Sequence, residues 1–550
     1  MSLLLLTFRQ HRLRILLVLA SSTASAALNV AVIAFINERL IRDAVSGSAL
    51  LHFALLLTAL LVVSASSQMA MSTLGHRVVY GLRRTLVKRV LDTDVERLEA
   101  VGLARLLASL SADTTHITIA FNSLPALLYG VALSIGGFGY LASLSPRLAG
   151  ATLICLTSTI AVAWQLLKRT HREARQARDA EDRLYEDYQA TVEGRKELAL
   201  NRDRARLVYD EEFDEHAKQN RDHEIRADVF NGLNDNWVNV MVLGAIGVDF
   251  FLARALGWAD TAVAATYALT LLFLRAPVTS VVNALPALVS GSVALAKVNE
   301  LSLADYKADF GERSLEPLAG FQTIVLDALS YRYPSVAGET GFVVGPVDLT
   351  LKRGEIVFLI GANGSGKSTV ARLLTGLYRA HGGAIRVDGT LVGEAGVAEF
   401  RRLFSSVFSD FHLFGRLIGQ GGGKPSGVAT ARWLDLLAMR GKAKIEDDVL
   451  TDLRLSQGQR KRLALLSALL EQRPVLVLDE WAADQDPAFR HHFYTQLVPA
   501  LKAEGRTIVA ISHDERYFDT ADRILKVDGG RLVEVPRGAR PFDLPHAAAS

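Results

Sequence analysis

The sequence predicts a two-part fold, a membrane domain of six transmembrane α-helices followed by an α/β domain built around a phosphate-binding loop. Three observations predict it. Six apolar stretches long enough to cross a bilayer crowd the first 300 residues. A strand, a glycine-rich loop and a helix then follow one another across 355–376. Farther on, two apolar strands end in Asp479-Glu480 and in Ser512-His513. The expected boundaries are a membrane domain over 1–300, a polar linker over 301–317 and the α/β domain over 318–550.

Composition narrows the class. Half of the 550 residues are apolar and 22 % are charged, which excludes a disordered chain. A net charge of +3 is too small to imply nucleic acid, and none is expected as a partner. The single cysteine, Cys155, excludes an intrachain disulfide and a cysteine-based zinc site.

The spans come first in the chain. Ile15 to Ile36 carries no charge. Its basic start imitates a signal peptide, but the apolar run continues through Phe35, which favours an uncleaved span. The others are Leu50–Met71, Phe121–Leu144, Leu148–Leu167, Trp237–Ala253 and Thr261–Val282. Pro277 is expected to kink the last helix or to mark its exit. Asp249 is an acid inside an apolar span. It reads either as a pathway residue or, slightly favoured, as an interfacial carboxylate near Arg254. Asn29, Gln165 and Asn239 either line a polar cavity or bond between helices.

Orientation follows from the basic residues. Arg9, Arg12 and Arg14 precede the first span, and the connections 76–116 and 168–236 are rich in Arg and Lys. The alternate connections carry few. The positive-inside rule therefore places both termini and both long connections in the cytoplasm. Apolar residues recur at helical spacing in these connections, with breaks near 92–94 and 200–203. They read as membrane helices that run into the cytoplasm and turn back through short helices.

The second domain carries the chemistry. Gly361-Ala362-Asn363-Gly364-Ser365-Gly366-Lys367-Ser368-Thr369 lies between a buried strand and a helix, the context a P-loop requires. Glycines let backbone N–H groups wrap phosphate oxygens, and the helix start adds positive potential. Lys367 is placed to reach β- and γ-phosphates, and the Ser368 hydroxyl to ligate Mg²⁺. The chain therefore binds a nucleoside triphosphate. Tyr333 is the candidate to stack on the base, with cross-strand packing as its alternative. Ser456, Gly458 and Gln459 open a helix and form a second phosphate clamp. Asp479 would bind Mg²⁺ through water, Glu480 would orient or deprotonate the attacking water, and His513 would sense the γ-phosphate. Gly421-Gly422-Gly423-Lys424 lacks the strand and helix of a phosphate loop and reads as a surface turn.

In this order and spacing the motifs resemble an ATP-binding-cassette exporter half-transporter, over nearly the whole chain. The resemblance implies a type I exporter fold with an α/β P-loop ATPase, and it implies ATP and Mg²⁺ as ligands. It also implies two copies paired head to tail, the P-loop of one facing Leu455–Gln459 of the other. A homodimer is expected, and a pair with a related chain is the alternative. The strings Arg460–Leu466, Asp479–Pro487 (with Asp486 a weaker site candidate) and Phe404–Phe414 resemble the cyclic-peptide exporters, the syringomycin-secretion and pyoverdine-precursor kind. That implies export of a nonribosomal peptide, lipopeptide or siderophore precursor across the bacterial inner membrane. A lipid or hydrophobic-drug flippase, with lipid as partner, is the alternative, and an ATP-gated channel or regulator fits the long helical connections less well. One departure stands out. Where such exporters place a glutamine after the P-loop, this chain has Ser409 followed by Asp410, and Asp410 or a bridging water is expected to take the glutamine's part.

Overall fold

A computed structural model describes residues 3–41, 47–307, 310, 320–334, 341–452 and 454–536. Most of the linker expected over 301–317 lies outside them. The chain packs as two units, 1–87 with 104–302, and 88–103 with 303–550.

Helices α1 (Leu3–Phe35), α2 (Gly47–Asp92), α3 (Val95–Val101), α4 (Leu103–Ala108), α5 (Thr114–Leu144), α6 (Pro146–Glu193), α7 (Arg195–Leu200), α8 (Arg202–Leu207), α9 (Asp214–Leu256) and α10 (Thr261–Glu300) fill the first 300 residues. Among the described residues six stretches are helical, long and apolar enough to cross a membrane: 20–39, 47–92, 103–144, 146–193, 202–256 and 261–300. The helices run well past the apolar spans, as their spacing suggests. α2 stops at Asp92, and Asn201 caps α8 by accepting from the Arg204 N–H at 3.0 Å.

Helix packing in the first unit relies on small residues and buried polar bonds. α5 and α10 approach so closely that a Cβ on Gly130 would lie 2.7 Å from the Pro277 carbonyl oxygen, and one on Gly291 2.3 Å from the Ala120 Cβ. Pro277 does not end α10, which continues through it and Pro286 to Glu300. The close packing against α5 holds the helix together where proline removes a hydrogen bond. Asn29 bonds across to the Tyr129 hydroxyl (2.9 Å), and Asn37 accepts from Thr266 (2.5 Å). α6 and α9 are stitched along their length: His216 meets Asp187 at 2.7 Å, Asn220 donates to the Ala177 carbonyl at 3.0 Å, and His223 meets Glu173 at 2.8 Å.

Asp249 is enclosed among the helices of the first unit. It is 1 % exposed and accepts the Thr152 hydroxyl at 3.0 Å, a partner on α6. The Tyr267 ring of α10 packs nearby and donates its hydroxyl to the Leu141 and Ser145 carbonyls. Its polar demand is met inside the helix bundle, which favours a structural bond over the neighbourhood of Arg254.

The second unit is α/β. Its strands are β1 (Thr323–Arg332), β2 (Val343–Lys352), β3 (Ile356–Ile360), β4 (Gly382–Val387), β5 (Thr390–Leu391), β6 (Phe404–Val407), β7 (Ile445–Glu446), β8 (Val449–Leu450), β9 (Val475–Asp479), β10 (Thr507–Ile511), β11 (Arg523–Asp528) and β12 (Arg531–Val535). Its helices are α11 (Lys367–Leu374), α12 (Val397–Arg401), α13 (Gly427–Leu436), α14 (Gln457–Leu470), α15 (Pro487–His492) and α16 (Val498–Ala503). One sheet has the order β2-β1-β4-β5 and is antiparallel; a second has the order β12-β11-β3-β10-β9-β6. β3, β9 and β10 are parallel and buried at every residue, as their unbroken apolar runs require. β3 and β9 lie on either side of β10, so the loops leaving them open on the same edge of the sheet, where ligands bind in open α/β folds.

Candidate nucleotide-binding site

The loop after β3 owes its path to glycine. Gly361 has φ +144, and a Cβ there would lie 2.3 Å from the Val527 carbonyl oxygen. Gly366 has φ +104 and opens α11 without any side-chain cap. The first amides of α11 are thus left for an outside acceptor. Lys367 is buried (6 % exposed) and donates to the Gly361 and Ala362 carbonyls, both at 2.9 Å. Burial lowers its pKa, opposed by the nearby Glu480 and Asp479 carboxylates.

A cavity of about 470 Å³ gathers much of the predicted set. Tyr333, Asn363, Gly364, Gly366, Lys367, Ser368, Thr369 and Glu480 line it. Ser365, by contrast, is buried inside the loop. Phe342 joins Tyr333 at the cavity, a residue that sequence reasoning missed. The Tyr333 N–H donates to the Phe342 carbonyl at 2.9 Å, which pairs the backbone beside the two aromatics. The Tyr333 hydroxyl also bonds Thr369 at 2.9 Å, which holds the ring beside the loop.

The ends of β9 and β10 supply acids and an imidazole. Asp479 is 2 % exposed, and one of its oxygens has no hydrogen-bond partner among the described residues. The other accepts from Ser409 at 3.4 Å. Burial raises its pKa, partly offset by a hydrogen bond from Ser368. A buried carboxylate oxygen without a partner, next to the Ser368 hydroxyl, fits a hard divalent cation completed by phosphate and water. No cluster of three or more His, Cys, Asp or Glu able to hold a metal by itself occurs among the described residues. Bound there, Mg²⁺ would neutralise charge on the β- and γ-phosphates. Glu480 adopts φ +48, rare for a residue with a Cβ, and its carboxylate reaches His513 Nε2 at 3.2 Å. His513 therefore lies within hydrogen-bond reach of the Glu480 carboxylate.

Adjacent residues in the loop after β6 part company. Ser409 turns to Asp479, whereas the Asp410 carboxylate lies 3.7 Å from Arg372 on α11. Arg372 is also 3.7 Å from Glu99 on α3, and the Tyr378 hydroxyl donates to Glu99 as well. The serine rather than the aspartate thus stands beside the end of β9.

Ser456, Gly458 and Gln459 are not among the residues lining the cavity. Ser456 caps α14 in a reciprocal box: its hydroxyl accepts from the Gln459 N–H at 3.3 Å, and the Gln459 side chain accepts from the Ser456 N–H at 3.0 Å. α14 is fastened to the catalytic strand end. Lys461 donates to the Glu480 carbonyl at 2.9 Å, and the Trp481 indole donates to the Lys461 carbonyl at 2.9 Å. Asp486 belongs to this fastening. It caps α15 through the Phe489 N–H at 2.9 Å and pairs with Arg462 at 2.8 Å, which together hold its pKa down.

Comparison with known proteins agrees with both units. The "ABC transporter" family model matches residues 344–483, and the "ABC transporter transmembrane region" model matches 13–272. The chain is 31 % identical to the ATP-binding protein SyrD of Pseudomonas syringae pv. syringae, over 97 % of this chain and 96 % of that one. It is 26 % identical to the ATP-dependent lipid A-core flippase of Methylobacillus flagellatus (85 % and 80 % covered). Against the flippase of the same name from Thiobacillus denitrificans it is 25 % identical (86 % and 83 %). With six membrane-spanning helices fused to this ATPase unit, the chain belongs to the ABC transporter family, as an ATP-hydrolysing exporter of type I architecture.

Proposed function

We propose that this chain exports a peptide across the bacterial inner membrane, as a homodimer with both termini in the cytoplasm. The cargo is a nonribosomal cyclic peptide, a lipopeptide or a siderophore precursor. One observation carries the reading: the likeness to SyrD extends over nearly the whole of both chains, membrane half included. The strings that resemble cyclic-peptide exporters support it. The separation of the motifs supports the dimer: Lys367 and Glu480 share a cavity that Ser456–Gln459 do not line. A second copy supplies that clamp across the nucleotide. Lys367 binds phosphate, Ser368 and, through water, Asp479 would hold the cation that neutralises phosphate charge, Glu480 accepts a proton from water at its carboxylate, and His513 orients that carboxylate. Differential affinity of ATP for the closed pair then drives alternating access.

The flippase relatives favour a second reading, a lipid as cargo. Proteoliposomes decide between them. ATP-dependent uptake of a labelled lipopeptide into inside-out vesicles is expected, with ATPase stimulated by the same peptide. ATPase stimulated by lipid A-core and by no peptide tested would replace the peptide reading with the flippase one.

A further inference from the structure

The first unit contains a groove of about 850 Å³ between α5, α6 and α10 that has no part in the ATPase chemistry. One wall is a basic face of α6, with Trp164, Lys168, His171, Arg172, Arg175 and Arg178. These positions recur at three- and four-residue intervals and so share one side of the helix. None of Lys168, Arg172, Arg175 and Arg178 forms an ion pair with an acid among the described residues. Glu173, an acid within the same stretch of α6, is engaged by His223 and Arg226 of α9. The opposite wall is apolar, with Val282, Leu285, Pro286 and Val289 of α10. Leu285 and Val289 are 43 % and 63 % exposed.

Cations without a carboxylate partner (Lys168 lies over the Trp164 ring at 5.7 Å) facing an apolar wall are complementary to an amphiphile that is anionic on one side. Their spacing says more. Lys168 and Arg178 stand about 15 Å apart along the helix axis at 1.5 Å per residue. A single phosphate headgroup meets one or two cations over a much shorter length. Three turns of cation match several anionic groups in series. We infer that this groove is a cargo subsite for an acidic acyl-peptide, its carboxylates along the α6 cations and its acyl chain against α10. The inference rests on the peptide-export reading and specifies the cargo's charge.

The test uses the full chain in phosphatidylcholine nanodiscs and reads binding, not transport. The probe is a triglutamate peptide with a brominated N-acyl chain, which quenches nearby tryptophan, and its partner is the same acyl chain on triglutamine. The acidic probe is expected to bind about ten-fold tighter or better than the neutral one, with an affinity that falls as salt is raised. Trp164→Phe should remove the saturable quench. The double change Arg172→Gln/Arg175→Gln should erase the acidic preference, Arg172→Lys/Arg175→Lys should largely keep it, and Arg204→Gln/Arg206→Gln on α8 should leave it untouched. Basal ATPase, which the groove does not serve, should be unchanged in all of them and reports that each variant is folded. Equal affinity for the two probes, or a preference that survives Arg172→Gln/Arg175→Gln, overturns the proposal. So does loss of probe binding when phosphatidylglycerol is added, since that assigns the groove to a lipid. Because binding is measured without uptake, failed transport in the vesicle assay and a failed groove give separate results.

Discussion

Two helices of the ATPase unit begin in opposite ways. α11 starts after Gly366 with no side chain on its first amides, while α14 starts in a closed box of Ser456 and Gln459. The first helix has unspent donors and needs an outside acceptor; the second has satisfied its own. A loop of this kind can take a nucleotide's phosphates within one chain. On the homodimer proposed above, the clamp on α14 would exchange its internal bonds for a phosphate when the second copy arrives. The difference between the two helix starts separates binding from closure.

The largest expected effect tests what lies between them. Glu480→Gln should leave ATP binding intact and cut hydrolysis on the order of 10²-fold or more, trapping the closed pair. Near-normal turnover in the purified variant removes Glu480 as the base. Lys367→Ala should weaken nucleotide binding itself, on the order of 10²-fold, because the phosphates lose a charged donor. A nucleotide titration that matches the unaltered protein would deny α11 its leading part.

Mixing sharpens the contrast. Lys367→Ala chains and Ser456→Arg chains should each be inactive alone, since both composite sites are broken. Together they form pairs with one intact site, and partial recovery of ATPase is expected. If activity does not return and Glu480→Gln chains also fail to cross-link with ATP, the head-to-tail pair is wrong. Smaller still, Ser456→Ala should cost about 1 kcal/mol of stability through the lost cap, with ATP affinity of the isolated chain unchanged. A calorimetric midpoint that does not fall would show that the box contributes little.

The smallest effects concern the loop after β6. Ser409→Ala should slow hydrolysis a few-fold by releasing Asp479. Asp410→Ala should leave basal hydrolysis close to normal, because its carboxylate meets Arg372 rather than the catalytic strand. The reverse ranking in steady-state rates would return the glutamine's part to the aspartate.

How much was legible in advance followed from the range of the interactions. The P-loop could be read because its function needs contiguous backbone, nine residues whose identities follow from their own geometry. Ser456 was read as opening a helix for the same reason, and it stands at the start of α14 as its cap. Asp486 before Pro487 carried the signature of a helix start, and the structure uses it as one. Asp249 could not be placed, because its burial depends on Thr152, which lies 97 residues away on another helix. Pro277 was read as a kink or an exit, and the exit reading failed because α5, packed tightly beside it, is invisible in local sequence. Ser409 and Asp410 are neighbours in sequence, and only the turn between them decides which one meets Asp479.

The seam between α6 and α9 has a mechanical consequence. With His216 against Asp187 and His223 against Glu173, the two helices are cross-tied like one beam rather than left as two rods. α6 alone has 48 residues, about 70 Å at 1.5 Å per residue, so a 5° tilt at one end swings the other by about 6 Å. A beam of that length turns a small angular change into a displacement of more than one helical pitch. Its stiffness, set by those cross-ties, fixes how much of the swing is delivered rather than lost in bending.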